Sequence, residues 1–284
     1  MPEAVTIRLP RMAVTYPSRI VCLTEETTET LYLLGEEHRI VGISGFTVRP
    51  PRARREKPRV SAFTSAKIEK IVGLRPDLVL GFSDLQADIA AELIRAGIEV
   101  HVFNQRSVVE ILRMIATLGA MVGCAGRALA LVDQLQAGLD AIRASAARFA
   151  RHPRVYFEEW DEPQISGIRW VSELVHIAGG EDCFPELARE PLGKHRIVAD
   201  PLEVPRRAPQ VIFGSWCGKK FRPGHVAARP GWEDVPAVRD GHLYEIKSSI
   251  ILQPGPAALT DGVREIHARL AEWCRRSGAG EGIP

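Results

Sequence analysis

The chain has 284 residues, of which 45% are hydrophobic and 25% charged, with a formal net charge of +2. That length suits one large domain or two medium ones, with enough apolar residues for sizeable cores. The near-neutral balance gives no general pull toward nucleic acid, and no run approaches the roughly 18 apolar residues of a transmembrane helix.

The first residues, "MPEAVTIRLPRMAVTYPSR", carry charge and proline where a secretory signal needs an unbroken apolar stretch. As written they predict a cytoplasmic protein; the alternative is a periplasmic one whose leader is not part of this sequence. Four β-rich runs follow, "RIVCL" (19–23), "RIVGI" (39–43), "DLVLGF" (77–82) and "EVHVF" (99–103), each leading into a helical pattern. Such alternation predicts βα units and parallel sheets covered on both faces. Between the second and third runs, "RPPRARREKPR" (49–59) sets six Arg/Lys against Glu56. It reads as a solvated proline-rich loop or as a rim attracting an anionic ligand or partner.

The segment 127–152 places Leu131, Leu135, Leu139, Ile142, Ala146 and Phe149 at three- and four-residue spacing, one amphipathic stripe ended by Pro153. About 24 helical residues make a rod of roughly 36 Å, long enough to connect two lobes. Beyond it come "RVYFE" (154–158), "QVIFG" (210–214) and "HLYEI" (242–246). The predicted fold is α/β, two Rossmann-like lobes with mainly parallel sheets joined by one long helix. The boundaries are 1–126 for the first lobe, 127–152 for the connector, 153–274 for the second lobe, and 275–284, "RRSGAGEGIP", for a flexible tail. An internal echo supports two lobes built alike: "IEKIVGLRPDLVLGF" (68–82) and "PLEVPRRAPQVIFGS" (201–215) share an acid, a basic turn, a proline, a strand and a glycine.

Ligands of open parallel sheets bind beyond the carboxyl ends of the strands. There the sequence offers Thr24, Phe46, Phe82 with Ser83, Asn104 with Gln105, Trp160, and Trp216 with Cys217. Four aromatics at strand ends predict a pocket wall. Catalytic signatures are absent: no nucleophile elbow, phosphate loop or zinc-protease motif stands at a strand–helix junction. The stretch "EEWDEPQISGIRW" (158–170) brackets its acids with Trp160 and Trp170, and Glu159, Asp161 and Glu162 are its candidate acid/base groups. Successive residues of an extended segment point in different directions, which argues against such a pair. The five cysteines form no CxxC pair, which fits a reducing compartment; Cys22, Cys217 and, with them, Cys183 are the candidate metal or iron–sulfur ligands. His101, His176 and His195 make no ligand pair by spacing.

At this point several motifs fall into a known order. "RIVCLTEETTETLYLLGEEHRIVGISGF", "KIEKIVGLRPDLVLGF", "EEWDEPQISGIRWVSELVHIAGGED", "GSWCGKK", "RPGWEDVPAVRDGHLYEI" and "QPGPAALTDGVREI" resemble segments of the substrate-binding proteins of cobalamin and iron-siderophore ABC importers. The similarity covers about residues 19–272 and is greatest to the cobalamin-binding branch. It implies a non-enzymatic protein that holds a corrinoid or related metal chelate between its lobes, with Thr24, Phe46, Phe82, Ser83, Trp160, Trp170, Trp216 and Cys217 at the ligand. It also implies docking to a permease through one glutamate per lobe, Glu69 and, by the internal echo, Glu203. The sequence departs from the family where Cys22 and the Glu25–Glu26 pair replace its usual Ser and Pro. The rival readings are a cytosolic metal or iron–sulfur-cluster protein using Cys22 and Cys217, and an enzyme acting on a bound chelate with Glu159 or Asp161 as acid/base.

Overall fold

Short β-branched runs alternate with helices through the first part of the chain, and each run becomes one strand of a parallel sheet. The computed structural model describes residues 15–279. In the first lobe β1 (Ile20–Cys22), β2 (Ile40–Ser44), β3 (Arg59–Ser61), β4 (Leu78–Phe82) and β5 (Val100–Phe103) lie in the order β3-β2-β1-β4-β5, all pairings parallel. The crossovers carry α1 (Glu25–Leu33), α2 (Ala53–Glu56), α3 (Ile68–Gly73) and α4 (Ala87–Arg95), and α5 (Val108–Met121) follows the last strand. The basic run 49–59 is therefore only partly loop: it forms α2 and opens the edge strand β3.

The helix α6 (Ala125–Ala146) leads to the second lobe, whose strands are β6 (Arg154–Asp161), β7 (Gln164–Ser166), β8 (Glu181–Asp182), β9 (Val211–Gly214) and β10 (Leu243–Glu245). Their order is β10-β9-β6-β7 with β8 beside β6, and β7 alone is antiparallel. Around them pack α7 (Arg169–Ile177), α8 (Glu203–Arg207), α9 (Pro223–Ala227), α10 (Pro236–Arg239), α11 (Ser248–Ile251) and α12 (Val263–Ala279).

The connector is shorter than the expected 127–152. It stops at Ala146 because Phe149 turns out of the helix, stacking on His267 at 5.2 Å and lying against Gly179, where an added Cβ would meet its ring at 2.8 Å. The stripe Leu131, Leu135, Leu139, Ile142, Ala146 does face the interior, and one continuous core runs from Ile20 and Leu80 through Leu139 to Val155, Trp170 and Leu270. The lobes thus share apolar packing as well as a rod. The expected tail is also partly structured: α12 continues through 275–279, and 280–284 lie outside the described residues.

The internal echo is a repeated turn. Arg75 (φ 47°) and Ala208 (φ 46°) are both left-handed, and each immediately precedes a proline. Their N–H groups donate three residues back, to Val72 O at 2.8 Å and Pro205 O at 2.9 Å. Each turn ends a short helix and aims the chain into a buried strand. β9 closes with Gly214 because the Phe221 ring lies on its backbone, where a Cβ would come within 1.9 Å of the ring.

Candidate functional site

Strand order reverses at β1, which has β2 on one side and β4 on the other, and again at β6, flanked by β9 and by β7 and β8. Crevices open at such reversals. The loops there meet across the lobes: Glu25, after β1, raises the pKa of the Cys217 thiol, second only to burial, while Ser248 opposes the rise. Arg106, after β5, is in electrostatic reach of Glu159 and Arg196 on the second lobe.

On the first wall Thr24 is buried, its hydroxyl 3.1 Å from that of Thr27. Phe46 is 55% exposed, whereas Phe82 is 5% exposed and covered by the Arg106 guanidinium, 4.8 Å from its ring centroid. Arg106 also reaches Asp84 at 3.4 Å, and burial lowers its pKa. Ser83 takes φ 60° and its hydroxyl accepts from Leu85 N at 3.2 Å. On the second wall Trp160 is half-buried and Trp216 is 5% exposed. Lys219 lies over both rings and pairs with Asp161. Cys217 is exposed. Behind Trp216 and Asp161 a hollow of about 490 Å³ is lined also by Gln164, Arg229 and Trp232.

Three of the four acids of "EEWDEP", Glu158, Glu159 and Asp161, are held by cations, while Glu162 is exposed and contributes its backbone O to the Trp160 indole N–H. Glu158 is fully buried and bidentate with Arg229, Nη1 to Oε2 at 2.6 Å and Nη2 to Oε1 at 3.0 Å, and takes the Trp216 indole N–H at 3.1 Å. Burial pushes its carboxyl pKa up and Arg229 pulls it back. Glu159 accepts from Ile168 N at 2.7 Å and pairs with Arg196; again burial raises its pKa and Arg196 opposes the rise. Asp161 holds Lys219. The rival reading, with Glu159 or Asp161 as acid/base, meets two carboxylates already paired with cations.

Two further expectations change. Trp170 is 4% exposed, donates its indole N–H to Ile251 O at 2.9 Å and belongs to the shared core, so it is not a cleft wall. Its helix α7 turns it inward. The cysteines do not gather: Cys22 sits in the first lobe's core, and Cys183 lies beside Val155, at the far end of β6 from the cleft. Burial pushes both thiols up to about 12, which disfavours the thiolate a metal needs. Among the described residues no group of three or more His, Cys, Asp or Glu could hold a metal ion.

Sequence reasoning missed the seam where the segment 253–261 crosses α1. Gln105 Nε2 donates to Pro254 O at 3.0 Å, Ala257 N to Glu29 Oε2 at 3.1 Å, and Arg49 joins Glu29 at 2.8 Å to Asp261 at 2.9 Å. Glu26 is 1% exposed there, Oε1 has no partner, and its pKa is pushed up to about 8 by burial and then by Glu25. Gly255 packs against it so closely that a Cβ would lie 2.4 Å from the Glu26 Cβ. Arg106, Arg196, Arg229 and Lys219 were equally unseen, since no spacing links them to their partners.

Glu69 and Glu203 each stand in the first turn of their short helix. Glu69 is exposed and makes no ion pair among the described residues, whereas Glu203 holds Arg206 at 3.0 Å and Arg207 at 2.9 Å. Of the basic run, Arg49 and Arg52 are paired with acids, while Arg54, Arg55 and Arg59 are exposed on the first lobe's edge. No helix among the described residues is long and apolar enough to cross a membrane.

This chain is 25% identical over 259 residues to an uncharacterized ABC transporter substrate-binding lipoprotein, YvrC, of Bacillus subtilis, covering 88% of this chain and 79% of the relative. It is 24% identical over 249 residues to the vitamin B12-binding protein of Vibrio parahaemolyticus, covering 85% of each. The apo structure of the periplasmic heme-binding protein RhuT from Roseiflexus shares the fold, with a TM-score of 0.74 at 23% identity, over 89% of this chain and 99% of that one. The relatives' names and the family's description point to the periplasmic alternative and give no support to the cytoplasmic expectation. That expectation rested mostly on residues 1–14, which lie outside the described ones. Residues 20–250 match the model described as "Periplasmic binding protein", and the chain belongs to that family of solute-binding proteins.

Proposed function

We propose that this protein is a non-enzymatic periplasmic carrier that closes its lobes on a corrinoid or related metal chelate and presents it to an ABC-importer permease. The observation that carries the reading is one accessible aromatic at the strand ends of each lobe, Phe46 and Trp160, with Glu25 of the first lobe reaching Cys217 of the second where the strand-end loops meet. A flat, largely apolar ring system with polar side arms suits aromatic walls with a polar edge. Relatives named for vitamin B12 and for ABC transport support both halves of the reading. Glu69 and Glu203, alike in their helices, are the proposed permease contacts, with Glu203 the more constrained by its arginines. The dispersed cysteines and the engaged Glu159 and Asp161 leave no observation favouring a cluster protein or an enzyme.

The test is titration of the purified protein with cyanocobalamin, followed by absorbance and calorimetry. Trp160→Ala is expected to weaken binding at least tenfold, about 1.4 kcal/mol. Unchanged affinity would make Trp160 part of the lobe's packing rather than a wall.

A further inference from the structure

Trp160 and Trp216 present their ring faces to a single cation. Lys219 Nζ lies 4.4 Å from the Trp160 ring centroid and 5.1 Å from that of Trp216, and it pairs with Asp161. The two walls are fixed. Trp160 Nε1 donates to Glu162 O at 2.8 Å, and Trp216 Nε1 donates to Glu158 Oε1 at 3.1 Å, on the carboxylate that Arg229 grips from its other side. Trp216 is further set edge-on against Phe221 at 5.0 Å. With each indole N–H engaged, the faces remain, and their quadrupoles attract positive charge. The occupant is the movable part: residues 217–220 are all exposed, and Gly218 (φ 82°) lets the loop turn just before Lys219.

We propose that Trp160, Trp216 and Asp161 form a cation subsite in the cleft wall, filled by Lys219 in this structure, which a ligand enters by presenting positive charge and displacing that side chain. The inference rests on the carrier reading and narrows its ligand class to metal chelates that are cationic at their face, in preference to rings with anionic arms. A lysine that must leave before the ligand can settle lowers apparent affinity by the fraction of time the site is open. Once it leaves, the Asp161 carboxylate meets the incoming charge, the one other cation in its electrostatic reach among the described residues being Arg229, which Glu158 holds.

Aquacobalamin and cyanocobalamin are the probes, since they share one corrin and differ by one positive charge while the axial water of the former stays protonated, below neutral pH. Lys219→Met is expected to tighten aquacobalamin about tenfold and cyanocobalamin less, as expected for removal of a competing cation. Adding Asp161→Asn to Lys219→Met should abolish the difference between the two probes. A second arm is independent of corrinoids: tetramethylammonium titrated against tryptophan fluorescence. It should give a saturable change in Lys219→Met, a much weaker response in the wild type, and none in the variant that also carries Asp161→Asn. If neither cobalamin binds but tetramethylammonium saturates Lys219→Met, the subsite stands and the corrinoid reading falls. If the cobalamins bind with affinities that Lys219→Met leaves unchanged, or if tetramethylammonium never saturates that variant, the subsite is overturned.

Discussion

Arg229→Ala is expected to destabilise the second lobe by about 3–5 kcal/mol, the usual result of removing one partner from a buried ion pair. Glu158 has no exposed surface, and Arg229 supplies two of its hydrogen bonds, at 2.6 and 3.0 Å. Without the guanidinium the carboxylate keeps the Trp216 N–H but has no counter-charge, so it must either stay ionised in an apolar site or take up a proton. The loss should therefore be larger at pH 8 than at pH 5. Urea unfolding monitored by tryptophan emission reads both. Replacing the pair together, as Glu158→Leu with Arg229→Met, should cost much less, because no charge is left unpaired. A loss below about 1 kcal/mol for Arg229→Ala would mean that the pair is screened by water and does not fix Trp216.

Glu26→Gln is expected to stabilise the protein in mildly alkaline buffer. The Glu26 carboxyl has a pKa of about 8 in the fold against an ordinary 4.5, because it is buried beside Glu25. In the unfolded chain it ionises above its ordinary pKa, while in the fold it stays protonated up to about 8. Its contribution is thus fully present at acid pH and is lost as pH rises between those two values, at up to about 1.4 kcal/mol per pH unit. Glutamine keeps the shape and removes the titration. The stability difference between variant and wild type should be small near pH 4.5 and should grow to a plateau of several kcal/mol above pH 8. Subtracting the two curves cancels the raised carboxyls of the second lobe, Glu158 and Glu159, while Glu25 and Glu29, whose charges act on Glu26, shift with it and stay in the difference. A pH-independent difference would place water or a counter-ion at Glu26 Oε1.

Local pattern made much of the fold readable. "RIVCL", "DLVLGF" and "QVIFG" are short, β-branched and bounded by turns, and they became β1, β4 and β9. The stripe from Leu131 to Ala146 repeats at helical spacing and became the buried side of α6. What failed was local pattern overruled by distant partners. Phe149 continues the stripe, yet its ring is drawn to His267 and Gly179, over a hundred and about thirty residues away in sequence, so the helix ends early. β3 is three residues that begin on the last arginine of a basic, proline-rich run, and it is a strand only because β2 lies beside it.

The site was legible to the extent that strand ends mark it. Trp160, Trp216 and Cys217 were nominated that way and do stand at the ends of β6 and β9, but whether an aromatic is a wall or a core depends on which face of its element looks inward, and Trp170 looks inward. Nothing in "KHRIVAD" marks Arg196 as the partner of Glu159, and nothing in "QPGPA" marks Gly255 as the surface against Glu26. One pairing lies within the second lobe and the other crosses the seam, and sequence separation hides both.

Titration of the wild-type protein with cyanocobalamin, with small-angle scattering on the same samples, decides whether the two lobes form a corrinoid carrier. A carrier gives saturable one-to-one binding with a dissociation constant of about 1 μM or tighter, near −8 kcal/mol, together with a smaller radius of gyration as the lobes close. Absence of binding at about 1 mM corrinoid, with an unchanged scattering curve, would contradict the carrier reading.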